Sequence, residues 1–446
     1  MSDLKTLIQW RREFHRFPEV GWSEFVTTAK LVQKLEAMGH VVLTSKNVIN
    51  PDFVRGRQAD VVEKGLAAAR AKGVSEAMLK RMDGLTGCAA IFDTGKPGPT
   101  IGLRFDIDCI PVQETADATH IPRAEKFASE NPGYMHSCGH DGHMSIGLGV
   151  AQWLIENRDT LKGRFKLLFQ PAEEGVRGAR PMSESGILDD VDYFAGSHLG
   201  FVAPSGTIVA GPTGFLCTLK IDVRFKGKPA HAGAAPHLGK NALAAACHAA
   251  TQMLGIARHG EGMTRVNVGV LRAGEGRNVI PPNAELQIEV RGESEELNTY
   301  MADEVIRIAK GIALGFDVEL ATEIMGEAVD LICDDEMVDH VMAVAKGNPS
   351  VQNVVRHQLF GGSEDATILA RRVQARGGKA VFFVIGADLT AGHHQGEFDF
   401  DEKQLGVGVD MYTGLIGRLM SGANSPTAAN GVAAGSEAVA ALRPCN

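Results

Sequence analysis

A chain of 446 residues with 44% hydrophobic and 22% charged residues is long enough for two or three domains around a substantial core, which excludes a disulfide-stapled miniprotein and a disordered chain. A formal charge of -9 argues against a nucleic-acid or anionic-membrane surface, since either needs clustered Lys and Arg, and leaves a small molecule as the expected partner. Seven scattered cysteines without a CxxC pair exclude a disulfide framework; with no long apolar segment, they predict a cytosolic protein without a membrane span.

In chain order, the first elements are two amphipathic helices, one from Leu4 to Phe17 stopped by Pro18 and one from Ser23 to Met38 ended by Gly39. VVLTS follows as a strand. From Asn50 to Gly84 the sequence is rich in Ala, Arg, Lys and Glu without a strong apolar face. It reads as an inserted helical hairpin, with a second start at Ser75, that is either a solvated excursion or a contact for specificity or a partner. Four short apolar runs come next: TIGLRF before Asp106, FKLLF before QPAEEG, YFAGS before His198, and VFFVIG before AGHHQGE. These read as buried parallel strands, with helices over 141–156 and 364–376 as crossovers. The Asp, Glu and His clusters fall just past the C-terminal ends of these strands, where open α/β sheets bind ligands.

Between Gly214 and Met325 the pattern becomes LKIDVRF, a helix from Asn241 to Ile256, VNVGVL, AELQIEVR, a helix from Glu295 to Leu314, and FDVELA. This is the β-α-β-β-α-β order of a ferredoxin-like unit. The expected fold class is therefore α/β. Residues 1–213, with the 50–84 insertion, and 326–420 form the two parts of one domain, residues 214–325 an inserted ferredoxin-like domain, and 421–446 a disordered tail.

The chemistry concentrates in His136-Ser-Cys138-Gly-His140-Asp141-Gly-His143, directly ahead of a helix start: three histidines, a cysteine and an aspartate within eight residues. Cys and His suit zinc, and a neighbouring carboxylate broadens the site toward manganese or cobalt. In Pro171-Ala-Glu173-Glu174-Gly175, adjacent carboxylates in extended chain point to opposite sides, so one can hold a metal while the other acts as a general base. His198 and the His393-His394 pair complete a set sufficient for two metals sharing a ligand, a site type that activates water and polarises a carbonyl. A nucleophilic Cys138 is the competing reading, although it leaves the Glu pair and the distant histidines without work. GEGRN around Gly274 reads as a hairpin turn rather than a phosphate cradle.

These residues, with WRREFHRFPEVGWSEF, LRFDIDCIP, MHSCGHDGH, FQPAEEG, HLG, PAHAGAAP, RNVIPPNAEL, GGSEDAT and AGHHQGEFDFDE in that order, resemble a known family along nearly the whole chain. It is the family of dinuclear metallopeptidases and amidohydrolases that includes aminoacylases, hippurate hydrolases and auxin-conjugate hydrolases. The resemblance implies a zinc-peptidase-like α/β catalytic domain and a role for the inserted domain as lid and dimerisation element. It also implies two divalent ions, Mn2+ with Zn2+ as the alternative, held by Cys138, His140, Glu174, His198 and His394, with Glu173 as base and Asp106 and Asp108 supporting the site. His231 is implied to reach a neighbouring protomer's site and stabilise the oxyanion, and Asn278 and Arg291 to bind a substrate α-carboxylate. Cys109 departs from the pattern, which commonly has Ala there; packing is its expected role.

The 50–84 insertion, EEGVRGAR and AGHH…FDFDE most resemble the branch that cleaves p-aminobenzoyl-glutamate. The activity expected is hydrolysis of that amide or of another aromatic acyl-amino acid, in a homodimer or a heterodimer with a homologous chain. Arg177, just beyond the Glu pair, is our own candidate for the glutamate side-chain carboxylate, against the plainer reading of a solvated charge.

Overall fold

The computed structural model describes residues 3–421, so the sequence beyond Ser421, where the disordered tail is expected, lies outside the described residues. Its strands are β1 (Val41–Thr44), β2 (Cys88–Asp93), β3 (Thr100–Asp106), β4 (Arg164–Gln170), β5 (Tyr193–Leu199), β6 (Thr207–Val209), β7 (Cys217–Lys226), β8 (Thr264–Ala273), β9 (Asn283–Gly292), β10 (Glu319–Ala328), β11 (Asn353–Val355) and β12 (Lys379–Ile385). Eight of them form one sheet in the order β1-β2-β4-β3-β5-β12-β6-β11, and four form a second in the order β10-β7-β9-β8.

The centre of the large sheet, β4-β3-β5-β12, is parallel, as the four apolar runs predict. Those strands are apolar throughout because both faces are covered. Leu103, Phe105, Phe169, Phe383 and Ile385 point to one face, with the helices Leu4–His15, His140–Glu156 and Gln404–Ser421. Leu168, Phe194, Phe382 and Val384 alternate to the other, with the helix Ala366–Ala375. Parallel pairing brings the C-terminal ends of β3, β4 and β5 to one edge, which carries Asp106, Gln170 and His198.

The insertion folds as two helices, Ala59–Ala71 and Glu76–Met82, the second capped by the Ser75 side chain accepting from the Met78 N–H. It is not a solvated excursion. Val62, Ala69, Leu79 and Met82 are buried with Phe25 and Ile49, so the apolar stripe is narrow but packed. The second sheet is antiparallel throughout, with the helices Ala242–Leu254 and Glu295–Phe316 packed against it. Its last strand runs to Ala328, three residues past the expected boundary, and β10 is joined to the large sheet's loops by the Glu327 N–H donating to the Val176 carbonyl at 2.7 Å. No helix among the described residues is long and apolar enough to cross a membrane.

Candidate metal centre

Gly139 begins the site. Its φ of +90° lies in the left-handed region that favours glycine, and it turns the chain from Cys138 into the helix His140–Glu156. Cys138 and His140 are thereby placed at the helix's positive end. The His140 Nδ1–H donates to the Asp108 carbonyl at 2.8 Å and the His198 Nδ1–H to the Leu199 carbonyl at 2.8 Å, so both rings turn Nε2 inward. Backbone carbonyls fix metal-binding imidazoles in this way. His198 Nε2 lies 3.5 Å from Cys138 Sγ.

The Glu pair sits on a turn rather than in extended chain, which corrects the sequence expectation. Ala172 and Val176 have φ of +52° and +57° and Gly175 has +87°. Asp108 holds the turn, its two carboxylate oxygens accepting the Glu173 and Glu174 N–H groups at 3.0 Å each. His394 also adopts a positive φ, +66°, and its N–H donates to the Ser137 carbonyl at 2.8 Å, bringing a late loop onto the cysteine segment. Strained non-glycine positions clustered at one site indicate a conformation imposed by its surroundings.

The five expected ligands form overlapping donor groups: Cys138, His140 and His198; Cys138, Glu174 and His394; and His140 with Glu173 and Glu174, the donor atoms of each group within 4.8 Å of one another. The fit to a cation rests on what these atoms lack. His140 Nε2 and Glu174 Oε1 are buried without a hydrogen-bond partner, although His394 Nε2 stands 3.3 Å from that oxygen. Burial, reinforced by Glu174, pushes the Cys138 thiol well above its ordinary range, so a thiolate here calls for a cation beside it. A thiolate, imidazoles and a carboxylate in overlapping groups suit two divalent ions sharing a ligand.

Glu173 lies among acids. Burial first, then the carboxylates of Glu364, Glu174 and Asp365, raise its carboxyl well above the usual range, against His140. Asp106 accepts from Arg104 Nη1 at 2.6 Å and from the His143 Nδ1–H at 2.6 Å, while His143 Nε2 accepts the Leu199 N–H at 2.9 Å. Although burial opposes it, Arg104 holds the Asp106 carboxyl well below its ordinary value.

Sequence reasoning missed that Arg104. Its fully buried guanidinium also donates to Gln170 Oε1 at 2.8 Å, Glu364 Oε1 at 2.9 Å and Asp365 Oδ1 at 3.3 Å. The available signals were a charged residue inside an apolar strand and two adjacent acids in GGSEDAT. Arg11 plays a matching part outside the site. It donates to Asp141 Oδ2 at 2.8 Å, Asp399 Oδ1 at 2.6 Å and Glu402 Oε1 at 3.1 Å, which accounts for the FDFDE acids and braces the first turn of the ligand helix.

Arg291 reaches the site: it lines a cavity of about 240 Å³ with Cys138, Glu173, His198 and His394. Arg177 lines an adjoining cavity of about 530 Å³ that also takes in Glu174 and, from the insertion, Gly56 and Gln58. Arg177 is not a solvated charge, since its Nε donates to the Glu174 carbonyl at 2.9 Å and Nη1 to the Gly56 carbonyl at 3.3 Å. Cys109 is buried at the edge of this cavity, consistent with packing.

His231 and Asn278 are not brought to this centre within one chain. Thr218 pairs with Arg291 at the near end of β7 and β9, and Lys226 with Asn283 at the far end, eight residues or roughly 27 Å along. His231 and Asn278 lie beyond that far end, where the Ala232 N–H donates to the Asn278 carbonyl at 3.0 Å.

Comparison with known proteins follows the same outline. The chain is 59% identical over 420 residues to a p-aminobenzoyl-glutamate hydrolase homolog of Haemophilus influenzae, covering 94% of this chain and 99% of that protein. It is 42% identical over 410 residues to the indole-3-acetyl-aspartic acid hydrolase of Enterobacter agglomerans, covering 91% and 94%. The crystal structure of an aminobenzoyl-glutamate utilization protein from Klebsiella pneumoniae superposes with a TM-score of 0.80 at 36% identity, over 93% of this chain and 95% of that one. Residues 102–418 match the family model for peptidase family M20/M25/M40, and the chain belongs to that family.

Proposed function

We propose that this protein hydrolyses the amide of p-aminobenzoyl-glutamate to p-aminobenzoate and glutamate, a step of folate breakdown. The observation that carries this reading is the convergence of Cys138, His140, Glu174, His198 and His394 beside a buried Glu173, in a chain whose 59% identical relative is named for that reaction. Two divalent ions held by those five residues, Mn2+ or alternatively Zn2+, supply Lewis acidity toward the amide oxygen and acidify a water. Glu173 takes the proton from the attacking water and returns it to the departing nitrogen; the raised affinity of its carboxyl for a proton suits both halves of that task. Asp108 fixes the turn that carries the base, and Asp106 with His143 and Arg104 steadies the wall behind His140.

His231 donates to the developing oxyanion and Asn278 helps to bind the α-carboxylate, both from a second copy of the chain, because their end of β7 and β9 lies roughly 27 Å from Thr218. Arg291 binds that carboxylate from the same chain. Mixing Glu173→Gln protein with His231→Ala protein is expected to restore activity that neither has, since the mixed dimer contains one site with both groups intact. No recovery after protomer exchange, verified by mass, would place His231 outside the reaction or in its own chain's site. The assay also addresses a heterodimer: full activity of the purified chain alone excludes an obligatory homologous partner.

A second substrate, an indole-acetyl conjugate, is favoured by the relative named for indole-3-acetyl-aspartate; hippurate tests the wider acyl-amino acid class. The deciding experiment strips the protein of metal, reloads it separately with manganese and zinc, and follows p-aminobenzoate release. Stripping is expected to abolish turnover and reloading to restore it. Cleavage of hippurate or an indole-acetyl conjugate without p-aminobenzoate release would move the substrate and keep the chemistry; activity unchanged by stripping would return the reading to a nucleophilic Cys138.

A further inference from the structure

Lys220 sits in β7 opposite Glu289 of β9, half-buried in the wall shared by the cavity at the metal ligands and the adjoining 530 Å³ cavity. The charges around it are already committed. Glu289 accepts from Arg291 Nε and Nη2 at 3.0 and 3.2 Å and lies 3.4 Å from the Thr218 hydroxyl. Arg177 has given Nε and Nη1 to backbone carbonyls. Among the described residues, the Lys220 ammonium makes no hydrogen bond or ion pair, so its donors face the cavities. Burial pulls the ammonium below the usual lysine range, against the pull of Glu289, Glu173 and Glu174, as expected of a cation short of a close partner.

We infer that Lys220 is the receptor for the side-chain carboxylate of the substrate's amino acid and makes the enzyme selective for conjugates of acidic amino acids. This rests on the amide-hydrolase reading above and names its substrate class. A half-buried ammonium with unused donors gains most from an anion, because the desolvation cost is already met and the new bonds are charge-assisted. Arg177, on the same cavity, adds positive potential while holding the insertion's Gly56 in the wall. The relatives described above are named for a glutamate and an aspartate conjugate, which share this second carboxylate and differ in the acyl group.

The test compares p-aminobenzoyl-glutamate with p-aminobenzoyl-glutamine, a neutral near-isostere, on the metal-loaded protein and its Lys220→Met and Lys220→Arg variants. The wild type is expected to prefer the glutamate conjugate in kcat/KM. Lys220→Met should cut that preference by roughly 30-fold, mainly through KM, while Lys220→Arg keeps most of it. Retention of the preference in Lys220→Met, or its absence in the wild type, overturns the inference and leaves the hydrolase reading standing. Failure of the wild type to cleave either conjugate defeats the hydrolase reading and the inference with it. A thermal melt alongside, with the Arg variant as reference, separates lost selectivity from lost fold.

Discussion

Glu173→Gln is expected to lower kcat for p-aminobenzoyl-glutamate by about 10³-fold while leaving the metal content unchanged. The amide keeps the volume of the carboxyl and cannot carry the proton from water to nitrogen. It should also leave the turn intact, because Asp108 holds that turn through the Glu173 and Glu174 backbone N–H groups rather than through either side chain. Turnover, bound metal by elemental analysis, and the melting temperature form the measurement. Turnover within tenfold of wild type, at full metal content, would remove Glu173 from the role of base. Loss of metal together with turnover would make it a ligand, a role its 4.8 Å grouping with His140 and Glu174 also permits.

Arg104→Met should give the largest loss of stability, about 3 to 5 kcal/mol at neutral pH, read as a lowered urea midpoint with unchanged slope. The guanidinium is fully buried against Asp106, Glu364 and Asp365, and removing it leaves three carboxyls buried without their shared cation. The pH dependence follows from opposite signs in this cluster. Asp106 is held below its unfolded value, so its contribution is present above about pH 4 and lost as the pH falls. Asp365 is pushed up to about 7 by burial, with Arg104 opposing and Glu364 adding, so the folded state binds its proton more tightly than the unfolded one. Stability from that group is complete below about pH 4 and declines as the pH rises to about 7. Without Arg104 the carboxyls rise further, and the gap between variant and wild type should widen from pH 5 to pH 8. A gap that is constant or narrows over that range would mean that Arg104 acts through packing rather than charge.

Much of the site was legible in the sequence because metal chemistry restricts residue type and spacing so strongly. Cys138 and His140 astride a glycine, Glu173 beside Glu174, and His198 at a strand end follow short-range rules. The four apolar runs likewise declared strands covered on both faces, and Ser75 declared the second helix of the insertion. The insertion's narrow apolar stripe was misread as solvated because Val62, Ala69, Leu79 and Met82 acquire their neighbours from other parts of the chain.

What the sequence by itself determined is the local chemistry: the ligand types, the base beside a ligand, the strand and helix order, and the change of pattern near 214. What only the tertiary structure decided is everything that depends on long-range approach. The Glu pair lies on a turn because Asp108 binds both N–H groups across 65 and 66 residues. Arg104 meets Glu364 across 260 residues, and Arg11 meets Asp141 across 130. The position of His231 and Asn278 at the far end of β7 and β9, and the uncommitted ammonium of Lys220, also emerge only when the strands pair. The physical reason is that a carboxylate's or cation's energy depends on which charges lie within a few ångströms of it. Local sequence sets its type and direction, whereas the packed sheet sets its neighbours.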